Sequence, residues 1–233
     1  MKVLRLGVAV ALCATLPIGI ASAQTTAGEM KKTPPGQMKK MSHHSEAAAQ
    51  LHQDMRKLWT DHVVWTRDFI IAALADGPDV QAATTRLMKN QDDIGRAVAR
   101  YDGGNAGQQL TTMLKEHISI AADLVKAAKT GDKTAQGAAD KKWQDNAVQI
   151  ADFLSKANPN WPRATLVDLM KMHLSTTTNE VVARLTKNWD EDVRAYDAVY
   201  DHILKMSDAL TDGIVKQFPE KFGAVPTATT GQR

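Results

Sequence analysis

Residues 110–129, LTTMLKEHISIAADLVKAAK, decide the fold class of this chain. Apolar residues recur in this stretch every three or four positions, which is the period of an amphipathic α-helix. The stripe consists of Leu110, Met113, Leu114, Ala121, Leu124, Val125 and Ala128. His117 falls on the same stripe, so its imidazole is predicted to face the core of a helical protein.

The same period recurs in six segments of the 233-residue chain, and Gly and Pro stand mostly between them, where they end helices at little cost. The predicted helices cover 45–75, 79–101, 106–129, 133–156, 162–187 and 191–217. Only 5% of the residues are aromatic, which disfavours a strand-rich fold. Long helices joined by short connections predict an all-α, up-down helical bundle of about six helices.

The helical segments also show a sequence repeat of about 56 residues. His62, His117 and His173 are each followed by an aliphatic residue, and Asn90 and Asn146 recur at the same spacing on the partner helices. We interpret the bundle as three degenerate helical-hairpin repeats, each of which needs its neighbours to bury its apolar face.

The chain begins with a pattern typical of a secretory signal peptide. Lys2 and Arg5 precede an apolar run, and Ala21-Ser22-Ala23 forms a small-residue cleavage motif. Residues 1–23 are therefore predicted to be removed, which places the mature protein in the periplasm or outside the cell without a transmembrane segment. Cleavage also removes Cys13, the only cysteine, so disulfide and thiolate chemistry are not expected.

Two segments flank the predicted bundle domain at 45–222. Residues 24–44 mix Thr, Gly, Pro, Gln and Lys without apolar periodicity and are predicted to be a disordered linker, and residues 223–233 a flexible tail. The linker carries Met30, Met38, Met41, His43 and His44. These are side chains that bind copper, although their spacing follows no ligand template, and a solvated tail is the alternative.

The repeat histidines are expected to lie at one level of the bundle. Within each of the first two hairpins, the histidine and the asparagine are about equally far from the turn. The predicted polar layer contains His62, His117, His173, Asn90 and Asn146, with Asp201 or His202 from the sixth helix.

Two chemistries fit such a layer. Imidazoles with a carboxylate or an open position suit a transition metal such as Cu or Zn, bound by His62, His117, His173, His202 and Asp201. Asn90 and Asn146 would then orient the ligands. The alternative is a hydrogen-bonded layer that only fixes helix register. The first predicts a non-enzymatic protein that binds a metal or small ligand, the second a structural or interaction module. A mononuclear metalloenzyme is a further alternative.

Other functions find no support in the sequence. A formal net charge of +3 is too small to indicate a nucleic-acid partner. Motifs for phosphate binding, serine hydrolysis and zinc proteolysis are missing from the sequence. The run Asp190-Glu191-Asp192 at a helix start is interpreted as capping and favourable charge rather than as a metal site.

Four strings resemble an uncharacterised family of small bacterial all-helical bundle proteins. They are Leu58-Trp59-x-x-His62-Val63-x-Trp65-Thr66-Arg67, Asn90-Gln91-x-Asp93-Ile94-Gly95, His117-Ile118-x-Ile120-Ala121-x-Asp123-Leu124-Val125 and Asn158-Pro159-x-Trp161. The resemblance covers about 51–222 and implies a helical bundle. Some members carry labels such as glycosyltransferase or acetylglutamate kinase, which imply sheet-containing folds, whereas this sequence predicts no strands. The family implies no catalytic residues here.

Overall fold

The computed structural model describes residues 35–222, with side chains from residue 46 onward. The described residues form seven α-helices and contain no strand, which confirms the all-α class. The helices are α1 (Pro35–Ala75), α2 (Val80–Asp102), α3 (Gly104–Thr130), α4 (Lys133–Ala157), α5 (Arg163–Leu185), α6 (Trp189–Gln217) and the short α7 (Pro219–Phe222). None of the helices in this range is long and apolar enough to cross a membrane.

The helix boundaries follow the predicted punctuation, with one correction. Helices α2 to α6 begin and end within two residues of their predicted positions, but α1 begins at Pro35 rather than at residue 45. Residues 35–44 were predicted to be disordered, yet they continue the helix, because Pro suits a first helical turn and the Met, Lys and Gln that follow are good helix formers. The predicted signal peptide, residues 24–34 and the tail at 223–233 lie outside the described residues.

The turn between α3 and α4 illustrates how local chemistry ends and restarts a helix. Gly131 adopts a left-handed conformation (φ 72°), and its N–H donates to the last carbonyls of α3. The Asp132 side chain then accepts a hydrogen bond from the Ala135 N–H at the start of α4. A turn this tight places α3 and α4 antiparallel and side by side.

The six long helices form a closed ring. Each helix packs against the next one in the sequence, and α6 returns to pack against α1. The ring therefore has an interior into which the apolar stripes of all six helices project. We call the end with the turns at 76–79, 131–132 and 186–188 the upper end.

The interior contains two apolar clusters with buried polar residues between them. The larger cluster, here called the lower core, includes Met55, Trp59, Leu114, Ile150, Leu174 and Ile203. The smaller cluster, the upper core, consists of Phe69, Ile70, Ala83, Leu87, Ile118, Val125 and Val181. Both clusters approach the level of the repeat histidines, from opposite ends of the bundle.

Candidate functional site

Four histidines meet between the two cores. His62 on α1, His117 on α3, His173 on α5 and His202 on α6 are each at most 8% exposed. The His173 ring is at the centre of the group, with its centroid 5.6 Å from that of His62 and 6.2 Å from those of His117 and His202. The prediction that the repeat histidines face the core is confirmed, and His202 rather than Asp201 joins them, because Asp201 is exposed.

Each hairpin carries an equivalent hydrogen bond at this level. The bonds run from Asn90 Nδ2 to Leu58 O (2.9 Å), from Asn146 Nδ2 to Met113 O (3.3 Å) and from His202 Nε2 to Leu169 O (2.9 Å). The paired residues lie 32, 33 and 33 residues apart in the sequence. In every case the accepting carbonyl precedes a layer histidine by four residues, so the bond joins the two helices of a hairpin just below that histidine.

Both ring nitrogens of His117 are already bonded. Its Nδ1–H donates to Asn146 Oδ1 at 2.8 Å, and its Nε2 accepts from the Trp143 indole N–H at 3.0 Å. Burial lowers the pKa of His117 to about 4, although the Asn146 hydrogen bond acts in the opposite direction. The ring is therefore neutral at pH 7 and has no free lone pair for a metal.

His62 is also neutral, and its ring lies against the side-chain amide of Gln91. The Gln91 Nε2 donates to Leu87 O at 2.9 Å and also lies 3.3 Å from His62 Nδ1. Burial, followed by the nearby His117, lowers the pKa of His62 to about 3. Gln91 is fully buried beside Asn90, and sequence reasoning missed it, although this adjacency was a signal that could have found it.

His173 differs from the other three rings. Its Nδ1 is buried and has no hydrogen-bond partner. Burial and the three surrounding histidines hold the pKa of His173 well below 6.5. The Trp59 indole N–H is likewise unpartnered, and both residues line a small cavity of about 30 Å³ below the histidines. That volume has room for a water molecule or two.

The predicted metal ligands do not form a coordination site. Among residues 46–222, no group of three or more His, Cys, Asp or Glu side chains is placed to hold a metal ion. The bonding of His117 and the exposure of Asp201 give the physical reason. The side chains of the Met- and His-bearing linker lie outside the described ones.

A larger pocket, here called the upper pocket, opens above the histidines and has a volume of about 470 Å³. Five helices, α1 to α5, contribute to its walls. Apolar lining residues include Phe69, Ile70, Leu87, Ile118, Val125, Trp143 and Val181. Lys133, Gln136 and Asp140 also line the pocket, and Lys133 and Asp140 are exposed at its mouth. Sequence reasoning did not predict this pocket.

A buried ion-pair network ties three helices together at the upper end. Arg67 on α1 contacts Glu180 on α5 at 2.6 Å and Asp192 on α6 at 2.9 Å, and Arg184 reaches Asp192 at 2.9 Å. Burial raises the pKa of Glu180 to about 7, while Arg67 partly offsets that rise. The favourable charge expected at the start of α6 is confirmed, since its first turn contains three acidic residues. The cap is Asn188 rather than a member of the acidic run, and Asp192 is buried.

These features define an all-α protein with a closed six-helix ring, a neutral histidine layer and an apolar pocket above it. Comparison with protein-family models, with curated proteins and with solved structures gave no match to this chain. The resemblance to a bacterial helical family therefore stays a prediction.

Proposed function

We propose that this protein is an exported, non-enzymatic binding protein that holds a small apolar molecule in the upper pocket. The observation that carries the proposal is the pocket itself. Its volume of about 470 Å³ lies within the range of roughly 300–1,000 Å³ that is usual for small-molecule sites. Export is inferred from the sequence pattern of residues 1–23.

The chemistry of the pocket walls favours binding over catalysis. The lining combines aliphatic side chains with Phe69 and Trp143, and the charged groups Lys133 and Asp140 are at the mouth. Trp143 directs its indole N–H to His117, so the pocket does not gain that donor. Such a site gains binding energy from apolar burial and lacks the converging polar groups that acid–base chemistry needs.

The histidine layer supports this function by positioning the helices. The recurring bonds of Asn90, Asn146 and His202 fix the register of each hairpin below the pocket. We propose that they descend from one hairpin copied three times, which explains their equal sequence spacing. In this proposal the layer is structural, and the ligand lies above it rather than on it.

A fluorescent apolar probe and two neighbouring variants test the proposal. Gly137 lines the pocket, and a Cβ there would meet no atom within 4 Å, so the backbone position accepts a side chain and Gly137→Leu adds bulk at the mouth. Ala138, the next residue, is exposed and does not line the upper pocket, so Ala138→Leu is the matched control.

We expect N-phenyl-1-naphthylamine to bind the unmodified protein saturably, with quenching of Trp143 emission. Gly137→Leu should weaken probe binding about tenfold, equivalent to about 1.4 kcal/mol, whereas Ala138→Leu should leave it unchanged. The proposal fails if the unmodified protein shows no saturable binding, or if the two variants bind the probe equally well.

A further inference from the structure

One side of α6, near the upper end of the bundle, carries a row of apolar and aromatic side chains that reaches the solvent. Trp189 and Val193 are 54% and 55% exposed, and Tyr196 and Tyr200 are partly exposed. Successive members are four, three and four residues apart, so they are neighbours along one side of the helix. Single exposed apolar residues are ordinary, but a continuous row with Trp and Tyr is typical of a protein interaction surface. We call these four residues the outer row.

Two arginines of the buried ion-pair network hold aromatic rings of the outer row in place. The guanidinium carbon of Arg67 is 4.5 Å from the centre of the Tyr196 ring, and that of Arg184 is 5.2 Å from the centre of the Trp189 ring. Both arginines also pair with Asp192, so the network that joins α1, α5 and α6 supports these rings as well. Rings that are already fixed lose little conformational entropy when a partner binds them.

Uncompensated carboxylates lie beside the outer row. Asp190, Asp197 and Asp201 are exposed, and none of their side chains forms a hydrogen bond or an ion pair within residues 46–222. Asp190 comes three residues before Val193 and Asp197 four residues after it, so both border the row. Arg194, the one cation in the first half of α6, is already paired with a neighbouring glutamate at 2.8 Å. Asp197 and Asp201 also lie beyond the first turn, where the helix dipole does not account for them.

We propose that the outer row binds a cationic amphipathic helix of a partner protein, whose apolar side chains cover the row and whose Lys or Arg side chains meet the flanking aspartates. From Trp189 to Tyr200 the row is about 17 Å long at 1.5 Å per residue, which matches about three turns of a partner helix. The charge selects this occupant, because the same face of a second copy, or an anionic membrane, would bring like charges together. None of the four residues lines the upper pocket, so this surface is independent of the proposed function.

Two synthetic peptides and two pairs of matched variants test the surface. The peptides are amphipathic helices of about 18 residues, one of Leu and Lys and one of Leu and Glu, so they share an apolar face and differ in charge. Trp189→Ala removes the largest side chain of the outer row, and Met172→Ala removes an apolar side chain of α5 that is 53% exposed and lies outside the row. Asp197→Asn removes a flanking charge, and Asp123→Asn removes an exposed carboxylate of α3, across the ring from α6.

Fluorescence anisotropy of the labelled peptides measures binding. We expect the lysine peptide to bind the unmodified protein saturably, more weakly as salt is added, and the glutamate peptide not to bind. Trp189→Ala should weaken binding of the lysine peptide about tenfold and Asp197→Asn about threefold, whereas Met172→Ala and Asp123→Asn should leave it unchanged.

Three results would overturn the proposal. They are failure of the lysine peptide to bind, equal binding of the two peptides, and equal binding of the lysine peptide by Trp189→Ala and Met172→Ala. Sedimentation of the protein alone adds a fourth, since a dimer that Trp189→Ala abolishes would assign the outer row to a second copy. Binding of N-phenyl-1-naphthylamine to the upper pocket should be the same in Trp189→Ala as in the unmodified protein, because Trp189 does not line that pocket.

Discussion

The lower and upper cores are built by the same helices, yet one is filled and the other is hollow. The cavity in the lower core measures about 30 Å³, whereas the upper pocket measures about 470 Å³. Large side chains such as Trp59, Trp161 and Met206 fill the lower core, while small residues such as Ala121 and Gly137 line the upper pocket. The two ends of one helical ring therefore differ in how completely their inward side chains fill the interior.

The lower core also contains a contact that leaves no spare room. Trp161, in the connection between α4 and α5, is buried and donates its indole N–H to Leu210 O at 3.2 Å. A Cβ added to Gly213 would lie 1.9 Å from the Trp161 indole nitrogen, so only glycine fits there. The upper pocket offers the opposite case, because a Cβ added to Gly137 meets nothing within 4 Å.

The largest expected effect comes from truncating one leucine in each core. Leu174 is fully buried in the lower core, and Leu→Ala there should lower the free energy of unfolding by about 4 kcal/mol, since a new cavity forms in tight packing. Leu87→Ala in the upper core should cost about 2 kcal/mol, because it only enlarges an existing pocket. Urea unfolding measures both, and equal costs would contradict the contrast between the cores.

Lowering the pH tests whether the histidines between the two cores are buried in neutral form. Burial holds the pKa values of His62 at about 3 and His117 at about 4, below the ordinary 6.5, and lowers that of His173 as well. The unfolded chain therefore binds more protons below pH 6.5, so stability falls as the pH falls towards these lowered pKa values. Glu180 acts oppositely, because its raised pKa of about 7 makes the folded state take up a proton.

Three histidines outweigh one glutamate, and we expect the free energy of unfolding to fall by about 3 kcal/mol between pH 7 and pH 5. Urea unfolding at a series of pH values measures this loss. Glu180→Gln removes the opposing contribution and should make the loss steeper. A stability that is constant or rises over this range would show that the histidines are not buried in neutral form.

The smallest expected effects on stability come from replacing two histidines of the layer, His117 and His173. His117→Leu leaves the Trp143 N–H and Asn146 Oδ1 without their partner and should cost about 2 kcal/mol. His173→Leu removes a ring whose Nδ1 has no partner, so its effect should lie within about 0.5 kcal/mol of zero or be stabilising. Thermal unfolding of both variants measures the difference, and the opposite ranking would mean that His173 has a bonded role.

The sequence predicted what depends on local periodicity. Apolar stripes with a period of 3.6 residues placed six helices, Gly and Pro marked most of their ends, and the position of His117 on its stripe predicted a buried ring. The start of α1 was missed because residues 35–44 have no apolar stripe, although their helix propensity is adequate.

The choice between His202 and Asp201 depended on the helix register, which sequence spacing fixes only to within a residue or two. His202 reaches Leu169 O across the hairpin, whereas Asp201 is exposed. Gln91 also belongs to a helix that was predicted, but its role depends on which side chain faces it from another helix, here His62. The apolar stripe of a helix indicates which residues point inward, but it does not indicate which residues of other helices they contact.

The sequence by itself thus determined the class of this protein, a helical bundle with histidines in its interior, because helix period and helix breakers act within a few residues. Only the tertiary structure decided that the layer is a hydrogen-bonded one, since the partners of His117 come from another helix. It likewise decided that an apolar pocket lies above the layer, because a pocket is formed by side-chain volumes that five helices contribute together.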